Sequence, residues 1–152
     1  MAGVNKDKAV AVLHDHDGYF RAAEHYKEHK ELPDDSGSDH KVPSAIQSRS
    51  AGSSADVKVY TVRNDVPNPV FDSKVNTVYE VVDLVDGLWY RAKSAMGVLN
   101  EGLWTIEEGP DGLQLCVNIQ VECNMALKGL VKGQVQSGAE QIHKNLLAVM
   151  KK

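Results

Sequence analysis

Two histidines and two aspartates stand together near the N-terminus, in Leu13-His14-Asp15-His16-Asp17. Imidazole and carboxylate are the side chains that bind metals or exchange protons near neutral pH, so this run is the first place to look for chemistry. Its spacing limits what it can do. On a helix, residues two apart point about 200° from each other, so His14 and His16 do not chelate one ion together. Imidazoles near a helix C-terminus also gain from its dipole, which is a sufficient structural reason for them. No metal site is expected, and His16 remains as a candidate acid–base group.

The other candidates are weaker signals. Asp83 and Asp86 flank a Val-Asp-Gly turn and could reach a pocket mouth, although turns recruit aspartate anyway. Tyr79 and Tyr90 offer aromatic surface with polar tips and join His16 and Asp83 as candidate catalytic residues. Arg63 with Asp65 reads most simply as a surface pair. Cys116 and Cys123 are seven residues apart on one predicted strand, roughly 23 Å at about 3.3 Å per residue and on opposite faces. They cannot bridge each other there and lack zinc spacing. The chain has no Gly-x-Gly-x-x-Gly, phosphate loop, Gly-x-Ser-x-Gly or His-Glu-x-x-His, so no cofactor is expected.

These residues must be positioned by one domain. The chain has 152 residues, 42% hydrophobic and 25% charged, enough to fold around a core. A net charge of -4 and a pI near 5.8 argue against nucleic acid as partner, which would call for a basic face. No 18-residue apolar run is present, so no integral membrane segment is expected. The first residues lack the apolar core of a signal peptide, and cytoplasmic residence is the default.

Elements follow from the patterning. Asn5 can cap a helix over 8–16, with Gly18 as its terminator. Segment 19–32 reads two ways, as a helical face (Tyr19, Ala22, Ala23, Tyr26) or, over 26–32, as a charged edge strand. Segment 33–55 has loop composition and too little apolar content to pack, and a flexible loop is expected there. Strands follow at 57–62, 74–84, 88–96 and 103–107, ending in the eleven-residue alternation at 113–123. Turn signals between them make an antiparallel meander. A long helix closes the chain, with Leu127, Val131, Val135, Ile142, Leu146 and Val149 at helical spacing.

Alternation assigns the inner faces. Leu88, Tyr90, Ala92, Ser94 and Met96 form one inner row, and Val75, Thr77, Tyr79 and Val81 another, although Asn76-Val78-Glu80-Val82 is nearly as apolar. Trp104 and Ile106 point inward, and Leu113, Leu115, Val117, Ile119 and Val121 face the helix. Tyr79, Tyr90 and Trp104 are then candidates for a ligand wall, with Thr61, Ser94 and Met96 as further ligand-binding candidates. The alternative for the aromatics is ordinary core. On the closing helix Gly129, Gly133 and Ser137 fall four apart, each glycine costing about 1 kcal/mol against alanine. Close contact with another segment, a second subunit or a ligand would explain them, as would a weak first turn. Its lysines suit an anionic membrane surface or a solvated face.

The ordering of N-terminal helix, meander and closing helix resembles the helix-grip superfamily, which includes START lipid-transfer domains, birch-pollen-allergen-like proteins and polyketide cyclases. Several segments are similar to a fungal family of small proteins in that class. These are Leu13-His14-Asp15-His16, Tyr60-Thr61-Val62-Arg63-Asn64-Asp65-Val66-Pro67, Lys74-Val75-Asn76-Thr77-Val78-Tyr79, Asp86-Gly87-Leu88, and Val121-Glu122-Cys123-Asn124 into Met125-Ala126-Leu127-Lys128-Gly129-Leu130-Val131-Lys132. The resemblance implies a hydrophobic cavity between sheet and closing helix, and a strand at 25–32. It supplies no catalytic residues. Helix-grip proteins usually begin with a strand, for which there is no room here, so one sheet edge is left unpaired and invites a homodimer or cover by the 33–55 loop.

The expected fold is α+β: a curved antiparallel sheet of five or six strands gripping a long C-terminal helix, with a short N-terminal helix. The leading functional expectation is a cofactor-independent enzyme, a cyclase, isomerase or dehydratase, acting on a hydrophobic small molecule. A carrier or sensor that binds such a molecule unchanged needs the same pocket without a titratable group in it. An interaction module would use the open edge and the Gly129/Gly133/Ser137 face. Fold alone does not choose among them.

Overall fold

Asn5 starts the first helix. The computed structural model describes residues 3–23, 26–32, 46, 49, 57–65, 74–94, 98–123 and 128–152. In it, Asn5 Oδ1 accepts from the amides of Asp7 (2.8 Å) and Lys8 (3.4 Å), two donors that a first helical turn leaves unpaired. Helix α1 (Lys6–His14) stops at Asp15 rather than at Gly18. The Asp15 carboxylate caps a second helix, α2 (His16–Arg21), by accepting from the Gly18 amide at 3.2 Å. A Cβ at position 18 would come within 2.7 Å of that carboxylate. The glycine read as a terminator is what lets the cap close. Strand β1 (Tyr26–Leu32) follows, so the ambiguous segment is helix first and strand second.

Five more strands complete a curved, six-stranded sheet: β2 (Val57–Asp65), β3 (Lys74–Leu84), β4 (Gly87–Ser94), β5 (Leu99–Gly109) and β6 (Gly112–Glu122). Each pairs antiparallel with the next, in the order β1 to β6. The long helix α3 (Lys128–Met150) closes the chain. The expected α+β architecture is the one observed. No helix among the described residues is long and apolar enough to cross a membrane. The outer side of β1 is unpaired among the described residues. Its exposed Lys27, Glu28, Lys30 and Glu31, and a register break between Tyr26 and Glu28, guard that edge against further pairing.

Strand β5 begins earlier than the expected 103, because alternation fails at Gly102. That glycine lies opposite Tyr90, whose ring fills the space a side chain would take. Gly87 is held more strictly, since a Cβ there would overlap the backbone carbonyl of Trp104. Gly87→Ala should therefore cost about 2–3 kcal/mol, as overpacking against immovable atoms does. Gly133→Ala, with nothing within 4 Å, should gain up to about 1 kcal/mol in helix propensity. Urea denaturation of both variants checks this contrast; equal midpoints would refute it.

The sheet's inner face carries the main core. Tyr60, Val62, Val81, Tyr90, Ala92, Trp104, Ile106 and Leu115 pack under Leu13 of α1, Tyr19 and Phe20 of α2, and Leu146 and Met150 of α3. The outer face has its own smaller cluster, where Ile46 covers Val82, Leu84 and Trp89. Of the segment 33–55, expected as a flexible loop, Ile46 and Arg49 are the described residues. Ile46 is buried, and Arg49 makes a two-pronged ion pair to Asp86 at 2.9 and 3.0 Å while its carbonyl accepts from Val85 N. The other residues of 33–55 lie outside the described ones.

Helix α3 is anchored by its second half. Leu146 and Met150 are buried, Asn145 Nδ2 donates to Ala22 O at 2.7 Å, and His143 Nε2 donates to Leu115 O at 2.8 Å. Val149, expected on the buried stripe, is 46% exposed, and Met150 takes that place. Gly129 and Gly133 in the first half are exposed. No close neighbour explains these two glycines among the described residues.

Candidate functional site

Helix α2 brings His16 over the sheet, where it joins residues distant in sequence. His16 is 8% exposed, with Nε2 2.7 Å from Asp83 Oδ1 and Nδ1 2.7 Å from the Tyr60 hydroxyl. A carboxylate only accepts, so Nε2 carries the hydrogen; in the neutral ring Nδ1 then accepts from Tyr60 O–H. Burial first, then Glu31 and Asp83, push the Tyr60 phenol up to about 12. The result is a hydrogen-bonded chain Asp83–His16–Tyr60 across α2, β3 and β2. Its third member was missed. Tyr60 stands in an alternating strand, and only the register that aligns it with Tyr79 reveals it as an inner residue.

His14 does something different. Its Nε2–H is shared between the carbonyls of Leu84 (2.8 Å) and Gly87 (3.0 Å), at the tip of the β3–β4 hairpin. The break at Asp15 lets both histidines grip one hairpin end, His14 through its backbone and His16 through Asp83. A parallel arrangement holds β1. Tyr26 Oη is 2.6 Å from His29 Nδ1, and His29 Nε2 is 3.4 Å from Asp17. The His-Asp-His-Asp run thus fastens the helix pair to four strands, β1 to β4. No cluster of three metal-ligating side chains occurs among the described residues.

The predicted aromatic wall is packed. Trp104 is 1% exposed, donates from Nε1 to the Tyr19 hydroxyl at 2.9 Å and stacks on His143 with ring centroids 6.2 Å apart. Tyr79 lies against Phe20 and Tyr90, at 5.2 and 5.7 Å, and the Tyr90 hydroxyl donates to Asn100 Oδ1 at 3.2 Å. Ser94 is hydrogen-bonded to Thr77 at 3.0 Å. Thr61 is a correction: Tyr60 and Val62 take the inner face, so Thr61 between them points the other way, as strand geometry requires. Met96 lies outside the described residues. Asp86 is occupied by Arg49, and Glu107 beside the Cys116 thiol holds it above its ordinary value, so that thiol is a poor nucleophile.

Burial governs the phenols. It pushes Tyr79 up to about 12, and raises Tyr19 and Tyr90 as well, Tyr90 with help from Tyr79 and against its bond to Asn100. They are neutral at physiological pH and act only as hydrogen-bonding groups. An acid with a raised folded pKa stabilises fully below its unfolded value of 10.0 and loses that contribution as pH rises toward about 12. Each phenol then contributes a loss of about 1.4 kcal/mol per pH unit in that window. Stability should fall steeply above pH 10, with tyrosinate absorbance and loss of β-sheet circular dichroism rising together. Ionisation of these phenols in an intact sheet would contradict it.

The open space lies elsewhere, between β6 and the first half of α3. This cleft of about 650 Å³ is floored by Val117, Ile119 and Val121 and roofed by Val135 and Ala139. The expected helix-facing row of β6 is the one that lines it. Its polar groups are Cys123, Lys132, Gln136, Glu140 and His143. None of His16, Tyr79, Asp83, Tyr90 and Trp104 lines it; His143, stacked on Trp104, separates it from the aromatic core. A second space of about 510 Å³ lies between α1, α2 and the end of α3, over Val12, Ala22 and Leu146.

The family model described as Domain of unknown function (DUF7053) matches residues 2–152, and the chain belongs to that family. No curated protein and no solved structure matches it.

Proposed function

We propose that this DUF7053 member is a non-catalytic carrier of an apolar small molecule, held in the cleft between β6 and α3. The observation that carries this reading is the cleft: its volume falls within the range of small-molecule sites, its floor is aliphatic, and Val135 and Ala139 face that floor from the roof. His16, Tyr79, Asp83 and Tyr90 do not line it; its own titratable groups are Cys123, Lys132, Glu140 and His143, of which His143 is bound to Leu115 O and Glu140 to Gln136. The six-stranded meander with a closing helix is compatible with the helix-grip class, whose lipid-transfer members use the corresponding space. Action in the cytoplasm as a monomer or edge-to-edge homodimer belongs to the same proposal. Native mass spectrometry, followed by denaturing extraction, tests it. A discrete apolar adduct is the expected result. A protein that is empty, and stays empty when offered amphiphiles, ends the reading.

A second reading, a cofactor-independent cyclase, isomerase or dehydratase, is favoured by one observation, the Asp83–His16–Tyr60 chain with both contacts at 2.7 Å. Such a chain can move a proton between a phenol and an imidazole. If the extracted molecule is turned over, Tyr60→Phe should slow turnover in a folded protein. Unchanged turnover would remove the chain from the mechanism.

A further inference from the structure

The cleft is long, and its two ends differ. Because the chain reverses after β6, Val121 and Cys123 face the first turns of α3, while Val117 faces His143. Lys132 to His143 spans eleven helical residues, about 16 Å at 1.5 Å per residue. Along the floor, Val117 to Cys123 covers six residues, about 20 Å at 3.3 Å each. The His143 end is closed. There the ring is tied to Leu115 O and stacked on Trp104, and the helix beyond is docked through Leu146. At the other end, among the described residues, nothing lies within 4 Å of where a Cβ at Gly129 or Gly133 would stand.

Charge follows the same axis. Lys132, at the open end, has no acid partner among the described residues. The cleft's single acid, Glu140, is about 12 Å further along the helix. It is already engaged by Gln136, whose Nε2 lies 3.5 Å from Glu140 Oε1. Between the ends the floor is valine and isoleucine, and the roof adds Val135 and Ala139 beside Gln136 and Glu140. A neutral hydrocarbon would leave the ammonium unpaired, and a compact anion would leave the aliphatic floor uncovered.

We infer that the cleft takes a single-chain amphiphile with an anionic head, its head group on Lys132 and its tail lying along Ile119 and Val121 toward His143. This deepens the carrier reading and rests on it. An ion pair at a cleft rim, desolvated on one side by the ligand's own chain, is stronger than a fully exposed surface pair. About a tenfold preference for anion over neutral analogue is expected.

Isothermal titration of the full chain with palmitate and with hexadecanol tests this. Palmitate should bind about tenfold more tightly, and Lys132→Gln should bring it down to the level of the alcohol. Lys144→Gln, an exposed lysine that does not line the cleft, should leave the preference unchanged. Equal binding of both probes to the wild type, or a preference that survives Lys132→Gln, would overturn the head-group assignment while leaving the carrier intact. Loss of the preference in Lys144→Gln would equally overturn it, by showing diffuse charge at work. Binding of neither probe would remove carrier and head group together.

Discussion

Trp104→Ala should cost about 3–5 kcal/mol, the range for deleting a fully buried indole. That is a large share of the 5–15 kcal/mol by which a domain of this size is stable. The indole is central to three layers at once. It sits between Leu88 and Val117 in the sheet register, packs edge-on against Tyr19 of α2, and stacks on His143 of α3. Its removal leaves a cavity and deprives the buried Tyr19 hydroxyl of its donor. Trp104→Phe separates the two effects, keeping most of the packing and losing the bond to Tyr19, for about 1–2 kcal/mol. Guanidinium denaturation of the two variants gives the comparison. A loss below about 1 kcal/mol in Trp104→Ala would mean that the three layers do not meet there.

His16→Ala is expected to be the next most damaging change, at about 2–4 kcal/mol. It removes two hydrogen bonds and leaves the Tyr60 hydroxyl, in a buried residue, without its partner. Asp83 is 33% exposed, so water recovers part of its loss, which holds the figure below that for a fully buried pair. Asp83→Asn keeps an acceptor for Nε2–H and should cost only about 1 kcal/mol. Because the three residues act as one chain, His16→Ala combined with Tyr60→Phe should cost less than the sum of the single changes. Strict additivity in that double-mutant cycle would show the contacts to be independent.

What could be read from the sequence was whatever repeats locally. The alternation at 113–123 places β6 and its helix-facing row, and Lys74–Leu84 emerges at its observed bounds. Helix α1 needed only Asn5 and its apolar spacing. Failures came where a distant residue sets the local form. Gly102 breaks the pattern of β5 because Tyr90 claims its space, and Asp15 splits the first helix because its carboxylate finds the Gly18 amide. Ile46 packs because Val82, Leu84 and Trp89 leave an apolar patch on the sheet's outer face. The site followed the same rule. His16 and Asp83 were both identifiable as residue types, but their pairing and the addition of Tyr60 depend on strand register. The aromatic residues were correctly drawn as inward, and the cleft lies one strand further along, where the wall is aliphatic.

Among the described residues, the contacts that hold helix α3 gather in its second half. A rod clamped through His143, Asn145, Leu146 and Met150, and carrying Gly129, Gly133 and Gly138 beyond the clamp, behaves as a cantilever. Any rotation about that clamp moves Lys132 further than His143, while the strand beneath is fixed by its pairing to β5. The cleft's width is therefore set by the tilt of the helix about that clamp. Tails of different girth can be accepted by bending the same roof, so discrimination between ligands falls to the head group and to chain length.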